Sequence, residues 1–172
     1  MKSVKNLFKK KDNYIIFCDM DGVLTDFDKA AQQLDPNIFK LPLNEMWNKI
    51  QNKGVEFWSD MDWIEGGKEL WNYLIYYNPK LLTALPGLSD DDPTKHYASE
   101  GKKIWVRKNL GPKYLKRLIL TTSPEKQKFA NVNSILIDDT EKLINQWENN
   151  HGIGILHTNT VNTINTLKSI II

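Results

Sequence analysis

The sequence contains a single cysteine, Cys18, among its 172 residues. An internal disulfide is therefore excluded, and a reducing compartment suits the chain. Cys18 stands inside an apolar run, so we expect a small buried side chain at this position.

Long hydrophobic segments are also missing. No apolar stretch approaches the roughly 18 residues that a membrane-spanning helix needs. The apolar run after the basic N-terminus is too short for a signal peptide and lacks a small-residue cleavage site. We therefore expect a cytoplasmic protein without a membrane partner.

An excess of charge of one sign is absent as well, because the formal net charge is only +2. This balance argues against nucleic acid as the main partner, since tracking a backbone usually needs a basic stripe. The three histidines, His96, His151 and His157, show no metal-binding spacing. Lysines do cluster near the N-terminus, where we expect a solvated end rather than a phosphate-attracting arm: Lys2, Lys5, Lys9, Lys10 and Lys11.

Short apolar runs rich in Ile and Leu recur along the chain and do not alternate with polar residues. Such runs are typical of strands that are covered on both faces of a sheet. They span 14–17, 80–85, 117–122, 134–139 and 152–158. The segments between them have helical character, at 66–77, 91–112, 140–150 and 160–170.

The helix predicted over 91–112 has recognisable ends. Asp92 is a plausible N-cap, Pro93 suits the first helical position, and Gly111 with Pro112 ends the segment. Gly101 inside it predicts a break.

Strands that alternate with helices predict an α/β protein with a Rossmann-like, mostly parallel five-stranded sheet flanked by helices. Residues 28–62 do not follow that rhythm and contain a helix-like stretch at 43–54. We interpret them as a small helical cap inserted after the first strand. The core domain would then comprise residues 1–27 and 63–172.

Polar side chains follow four of the predicted strands, where each strand ends. Because ligands bind at the carboxyl ends of parallel strands, we expect these side chains to converge. Several carboxylates in one cleft repel one another unless a cation joins them, and oxygen-only ligands suit Mg²⁺. A hydroxyl and an ammonium would supply donors for a phosphate. The residues concerned are Asp19, Asp21, Thr83, Ser123, Asp138, Asp139 and the lysines of 124–129.

Four stretches, taken in order, resemble the four motifs of the haloacid dehalogenase (HAD) superfamily of phosphotransferases. They are "DMDGVLTDF" from Asp19, "LLTALP" around Thr83, "SPEKQKFA" from Ser123 and "ILIDDT" ending at Thr140. Within the superfamily, the run "IWVRKNLGPKYLKRLILT" and the ending "LIDDTEKLINQWENNHGIGILHT" make the chain most similar to the 5′(3′)-deoxyribonucleotidase-like group.

The resemblance implies roles for the first motif. Asp19 would be the nucleophile that forms an aspartyl-phosphate. Asp21 would act as general acid and then as general base. Asp19 and the Asp21 backbone carbonyl would ligate Mg²⁺, and Gly22 would allow the chain to turn sharply.

The other motifs imply the remaining contacts. Thr83, with the Ala84 backbone N–H, would hold a phosphate oxygen. Either Lys126 or Lys128 would be the phosphate-binding lysine, and we favour Lys126 because it lies near a predicted helix start.

The fourth motif supplies an acidic pair. We expect Asp139 to contact the metal directly and Asp138 to orient a metal-bound water, although the reverse order stays open. The pair could also cap the following helix.

Three further features have plainer explanations. Asp90, Asp91 and Asp92 suit a solvated loop and helix cap better than a second metal site. Phe57, Trp58 and Trp63 could stack on a base, but aromatic residues more often fill an interface. The apolar end at 170–172 leaves a homodimer open, although docking onto the chain's own sheet is simpler.

These observations favour a Mg²⁺-dependent phosphatase acting on a small phosphorylated substrate, with a nucleoside monophosphate as the leading candidate. A phosphatase acting on nucleic-acid ends or on another small phosphoester is one alternative. An inactive HAD-like domain that binds a nucleotide or a protein is another, although a pure binder would not need Asp21.

Overall fold

The computed structural model of the protein describes residues 14–171. The N-terminal lysine cluster and Ile172 lie outside the described residues. Within the described part, Ile171 is buried and Ile170 packs against the core, as docking of the C-terminus onto the protein itself requires.

Five parallel strands form one sheet, which confirms the predicted α/β fold. In chain order they are β1 (Ile15–Cys18), β2 (Lys80–Ala84), β3 (Leu118–Thr121), β4 (Ser134–Asp138) and β5 (Ile153–Leu156). The spatial order is β3-β2-β1-β4-β5, so that β1 lies at the centre. Each strand lies inside a predicted apolar run or extends one residue beyond it. The agreement follows because burial on both faces of the sheet selects continuous Ile and Leu.

Helices cover both faces of the sheet. They are α1 (Phe27–Leu34), α2 (Leu43–Lys53), α3 (Val55–Ser59), α4 (Gly67–Leu74), α5 (Pro93–Asn109), α6 (Glu141–Asn149) and α7 (Thr160–Ile171). Short 3₁₀ helices lie at Ile38–Lys40, Ile75–Tyr77, Pro112–Arg117 and Ser123–Phe129. Within residues 14–171, none of the helices combines the length and the apolar character that a membrane span requires.

Helix α5 begins as predicted, since the Asp92 side chain accepts a hydrogen bond from the Thr94 backbone N–H at 2.8 Å. The predicted break at Gly101 is wrong, because α5 runs through this residue without interruption. Gly101 instead permits close packing. A Cβ there would overlap Trp58 and would lie 2.7 Å from the Val55 carbonyl oxygen of α3.

The two faces of the sheet bury apolar clusters of different size. The smaller one comprises Phe17, Leu82, Leu136, Ile144 and Trp147. The larger one joins the other sheet face to residues of the 28–62 segment, Phe57 and Trp58 among them. That segment is helical, as predicted, but it shares its buried side chains with the sheet.

The aromatic residues at 57–63 fill this interface. Phe57 and Trp58 are buried, and both rings pack against Phe27. Trp63 packs edge-on against Trp105 with 4.8 Å between ring centroids. These contacts correspond to the interface-filling role rather than to base stacking.

Candidate active site

Acidic side chains meet at the carboxyl-terminal edge of the sheet. Asp19 directly follows the central strand β1, and Asp138 is the last residue of its neighbour β4. Asp19, Asp138 and Asp139 each place a carboxylate oxygen within 4.8 Å of the others. The predicted convergence of the first and fourth motifs is thus present in the structure.

A buried ammonium lies between two of these carboxylates. Lys126 Nζ is 2.7 Å from Asp19 Oδ2 and 2.7 Å from Asp138 Oδ2, and the lysine is 2% exposed. Burial alone would lower the pKa of Lys126, but the two carboxylates outweigh this effect and raise it.

The carboxylates themselves are crowded. Burial, and then repulsion from Asp138, raises the pKa of Asp19, although Lys126 opposes the shift. Burial, and then repulsion from Asp19, raises the pKa of Asp139. Oxygen donors that repel one another in this way form a donor set that fits a hard divalent cation such as Mg²⁺.

The two carboxylates of the fourth motif have different surroundings. Asp138 is fully buried, and it accepts hydrogen bonds from Lys126 Nζ and from the Thr140 backbone N–H at 2.9 Å. Asp139 is more open and meets the Thr140 hydroxyl at 3.4 Å. Its carboxylate therefore has more free acceptor capacity for an added cation.

Asp21 stands apart from that cluster. Its Oδ1 accepts a hydrogen bond from Thr25 Oγ1 at 2.9 Å, and its Oδ2 accepts one from Lys102 Nζ at 2.7 Å. The third acid of the first motif has a structural role, because Asp26 caps α1 by accepting from the Lys29 backbone N–H at 3.0 Å.

Lys102 is a site residue that the sequence did not reveal. Its side chain is fully buried, and its Nζ also donates to Thr83 Oγ1 at 2.6 Å and to the Ala84 carbonyl oxygen at 2.8 Å. A pattern could have identified it. The buried stripe of α5 contains Ala98, Gly101, Trp105 and Val106, and Lys102 falls on the same helical face.

Only some of the phosphate-binding residues predicted from the second and third motifs line the cleft. Ala84 and Lys126 line the cleft. Thr83 is fully buried, and its hydroxyl is engaged by Lys102. Lys128 is not brought to the cleft, because its side chain is 68% exposed and pairs with Glu125 at 2.6 Å.

The cleft above the carboxylates has a volume of about 950 Å³. His157 lines it at the end of β5, and its Nδ1 lies 2.8 Å from the Thr163 hydroxyl. Burial lowers the pKa of this imidazole. Other residues that line the cleft are Asp26, Phe27, Asp28, Ile64, Glu65, Leu143 and Val161.

The acidic run before α5 lies elsewhere. Asp92 caps the helix, and Asp90 pairs with Lys95 at 2.8 Å. The loop and helix-cap interpretation of this run agrees with these contacts.

Comparison with known proteins places this arrangement in context. No protein-family model matches the chain. A protein of Vibrio phage KVP40 that is provisionally named a 5′(3′)-deoxyribonucleotidase is 30% identical over 140 residues, which are 78% of this chain and 71% of the phage protein.

Two solved structures share the fold at low sequence identity. A hydrolase from Streptococcus pneumoniae TIGR4 aligns with a TM-score of 0.55 and 11% identity, over 91% of this chain and 99% of that one. A haloacid dehalogenase-like hydrolase from Streptococcus pneumoniae aligns with a TM-score of 0.52 and 12% identity, over 90% of each chain. With its four motifs and this sheet, the chain belongs to the haloacid dehalogenase superfamily, in the 5′(3′)-deoxyribonucleotidase-like group.

Proposed function

We propose that the protein is a Mg²⁺-dependent phosphomonoester hydrolase that acts through an aspartyl-phosphate on Asp19. The observation that carries the proposal is the cluster of Asp19, Lys126, Asp138 and Asp139 at the base of an open cleft. Burial and mutual repulsion destabilise the ionised carboxylates, so a bound cation would be favourable here. The positive charge of the ammonium would attract a phosphoryl group.

Asp19 has the position that a nucleophile needs. Its Oδ1 accepts from the Met20 backbone N–H at 2.7 Å, and its Oδ2 is held by Lys126, so the carboxylate is oriented on both oxygens. Attack on phosphorus would form the Asp19 Oδ–P bond as the ester P–O bond breaks. Water would then cleave the acyl phosphate and release inorganic phosphate.

Asp21 supplies the proton transfers in this scheme. The carboxyl group gives its proton to the leaving oxygen in the first step and takes one from the attacking water in the second. Its place at the cleft wall, outside the cluster of three carboxylates, keeps it available for this role.

Asp19, Asp139 and the Asp21 backbone carbonyl would hold the magnesium ion, with Asp138 orienting a bound water. When bound, the ion would offset the negative charge of the carboxylates and polarise the phosphoryl group. Ala84 N–H and Lys126 would contact the phosphate. We propose that the Thr83 hydroxyl does not contact the phosphate itself but accepts a hydrogen bond from Lys102 and so helps to hold that lysine in place.

A nucleoside monophosphate is the proposed substrate class. The name of the phage relative supports this choice, as does a cleft large enough for a compact ester. We propose that residues 28–62 form the cap over this cleft.

The decisive experiment measures phosphate release from p-nitrophenyl phosphate and a panel of nucleoside monophosphates, with Mg²⁺ and with chelator. We expect release that chelator abolishes and that falls at least about 10³-fold in Asp19→Asn. Asp90→Asn, a surface carboxylate outside the cleft, should match the wild type.

Other outcomes would point elsewhere. Nucleotide binding without release from any ester would indicate a binding domain. Release only from oligonucleotide ends would indicate a nucleic-acid end phosphatase.

A further inference from the structure

The Asp21 carboxylate is clamped on both oxygens by groups that have no access to solvent. Thr25 Oγ1 donates to Oδ1 at 2.9 Å, and Lys102 Nζ donates to Oδ2 at 2.7 Å. Thr25 and Lys102 are both 0% exposed, whereas the Asp21 side chain is 28% exposed. The Asp21 carboxylate thus faces the cleft while its two hydrogen-bond donors, Thr25 and Lys102, are buried behind it.

Lys102 is fixed at this point by all three of its N–H groups. They donate to Asp21, to the Thr83 hydroxyl and to the Ala84 carbonyl oxygen. Because an ammonium has three donors, none remains for a substrate phosphate. Lys102 can therefore influence the reaction only through the groups that it holds.

The position of the helix that carries Lys102 is also constrained. Gly101 brings α5 against the backbone of α3, and Lys102 Nζ lies 5.4 Å from the centre of the Trp58 ring. The ammonium cannot shift without disturbing this contact between the buried faces of the two helices.

Thr25 is held just as firmly in the loop after β1. Its backbone N–H donates to the Met20 carbonyl oxygen at 2.8 Å, and its own carbonyl accepts from the Gly22 N–H at 2.9 Å. These bonds set the direction from which the Thr25 hydroxyl meets Asp21.

We propose that Lys102 and Thr25 are positioning residues, which fix the direction in which Asp21 presents its proton to the leaving oxygen. The proposal rests on the proposed function. Each carboxylate oxygen has two lone pairs, so the clamp leaves lone pairs free to carry the proton. The proton moves to the leaving oxygen as the ester bond breaks and the Asp19–phosphorus bond forms.

The clamp matters because proton transfer depends on geometry. A general acid must lie about 2.6–3.2 Å from the atom that it protonates, and a displacement of about 1 Å can cost about 10²-fold in rate. Leaving groups differ in their need for this proton. An alkoxide from a nucleoside monophosphate requires it, whereas p-nitrophenoxide leaves readily without it.

The test compares these two leaving groups under single-turnover conditions, with enzyme in excess, so that only the first chemical step is measured. The variants are Lys102→Met, Thr25→Val and, as a reference for complete loss of the acid, Asp21→Asn. We expect release of nucleoside to fall about 10²-fold in the two clamp variants. Release of p-nitrophenol should fall less than about tenfold, and the enzyme concentration that gives the half-maximal rate should be unchanged for both substrates.

Thr25→Ser keeps the hydroxyl and should restore the wild-type ratio of the two rates. If Lys102→Met does not fold, the contrast between Thr25→Val and Thr25→Ser decides the question. Thr25→Val keeps the volume and loses the hydroxyl, whereas Thr25→Ser keeps the hydroxyl and loses one buried methyl group, so only a role of the hydroxyl separates the two variants in this direction.

Equal losses on both substrates, or no loss on either, would overturn the proposal. A wild-type protein that releases neither leaving group in an Asp19-dependent manner would instead refute the proposed function. The two failures are therefore distinguishable.

Discussion

Gly22 and Asp139 approach so closely that a Cβ on Gly22 would overlap the Asp139 carboxylate. Gly22 also has a φ of +76°, which L-residues with side chains rarely adopt. The turn within the first motif and the fourth-motif acid are thus in direct contact, and this contact brings two distant parts of the chain into one site.

Gly22→Ala should therefore damage both stability and catalysis. We expect about 1–2 kcal/mol of destabilisation from the left-handed backbone. Displacement of the Asp139 carboxylate should weaken Mg²⁺ binding and lower kcat at least about tenfold. Thermal melting and a Mg²⁺ titration of activity measure the two effects.

Gly54→Ala is the matched control for this substitution. Gly54 also has a positive φ, +68°, but an added Cβ would meet nothing within 4 Å. It should show a similar loss of stability and unchanged kinetics. Equal kinetic losses in both variants would refute the role of the Gly22–Asp139 contact.

Replacing Lys126 tests the buried ammonium. Lys126→Met leaves Asp19 and Asp138 without their shared partner, so we expect kcat to fall at least about 10²-fold. Breaking a buried pair from one side should also cost about 3–5 kcal/mol in metal-free protein. Lys128→Met removes an exposed lysine only two residues away and should leave both quantities nearly unchanged. Comparable losses in the two variants would mean that the wrong lysine has been assigned.

Gly101→Ala tests the contact between α5 and α3. Alanine favours a helix by about 1 kcal/mol over glycine, but the new Cβ would meet the Val55 carbonyl and Trp58. Overpacking of this kind costs about 1–3 kcal/mol, so we expect a lower melting temperature. Gly87→Ala, where a Cβ would meet open space, should melt within a degree or so of wild type. A stabilised Gly101→Ala protein would refute the close approach.

Asp139→Asn should stabilise the metal-free protein while abolishing activity. Because the pKa of Asp139 is raised in the folded state, the folded protein binds a proton on this carboxylate more tightly than the unfolded chain does. This contribution to stability is therefore lost as pH rises above the ordinary carboxyl range and through the raised pKa. The asparagine variant keeps a neutral side chain at every pH, so its melting temperature at neutral pH should lie above that of the metal-free wild type.

Melting in chelator between about pH 4 and pH 7 provides the measurement. The difference between variant and wild type should grow with pH, and Mg²⁺ should shrink it by stabilising only the wild type. A difference that does not change with pH would contradict this account.

The sheet could be predicted because burial on both faces leaves a visible pattern of Ile and Leu. The meeting of Asp19, Asp138 and Asp139 could be predicted because parallel strands bring their carboxyl ends to one edge. The prediction that failed concerns the local structure at one residue, Gly101. Gly101 resembles a helix breaker in sequence, and only the packing partner Trp58 explains why a glycine stands within a continuous helix.

Lysines were harder to assign than aspartates. Lys102 is followed by Lys103 and, a few residues later, by Arg107 and Lys108, a composition that resembles a solvated helix face. Lys102 is buried because the residues at the carboxyl ends of β1 and β2 pack against this face of α5. The choice between Lys126 and Lys128 depended on the path of a 3₁₀ helix, whose turns have no fixed sequence signature.

The central position of β1 has a consequence for synthesis of the chain. Its hydrogen-bonded neighbours, β2 and β4, are made much later than β1 itself. A nascent polypeptide that carries the first aspartates has nowhere to assemble them until Ser134–Asp138 has left the ribosome. Fragments that stop short of that strand would retain the most recognisable stretch of the sequence without the pocket that gives it chemical meaning.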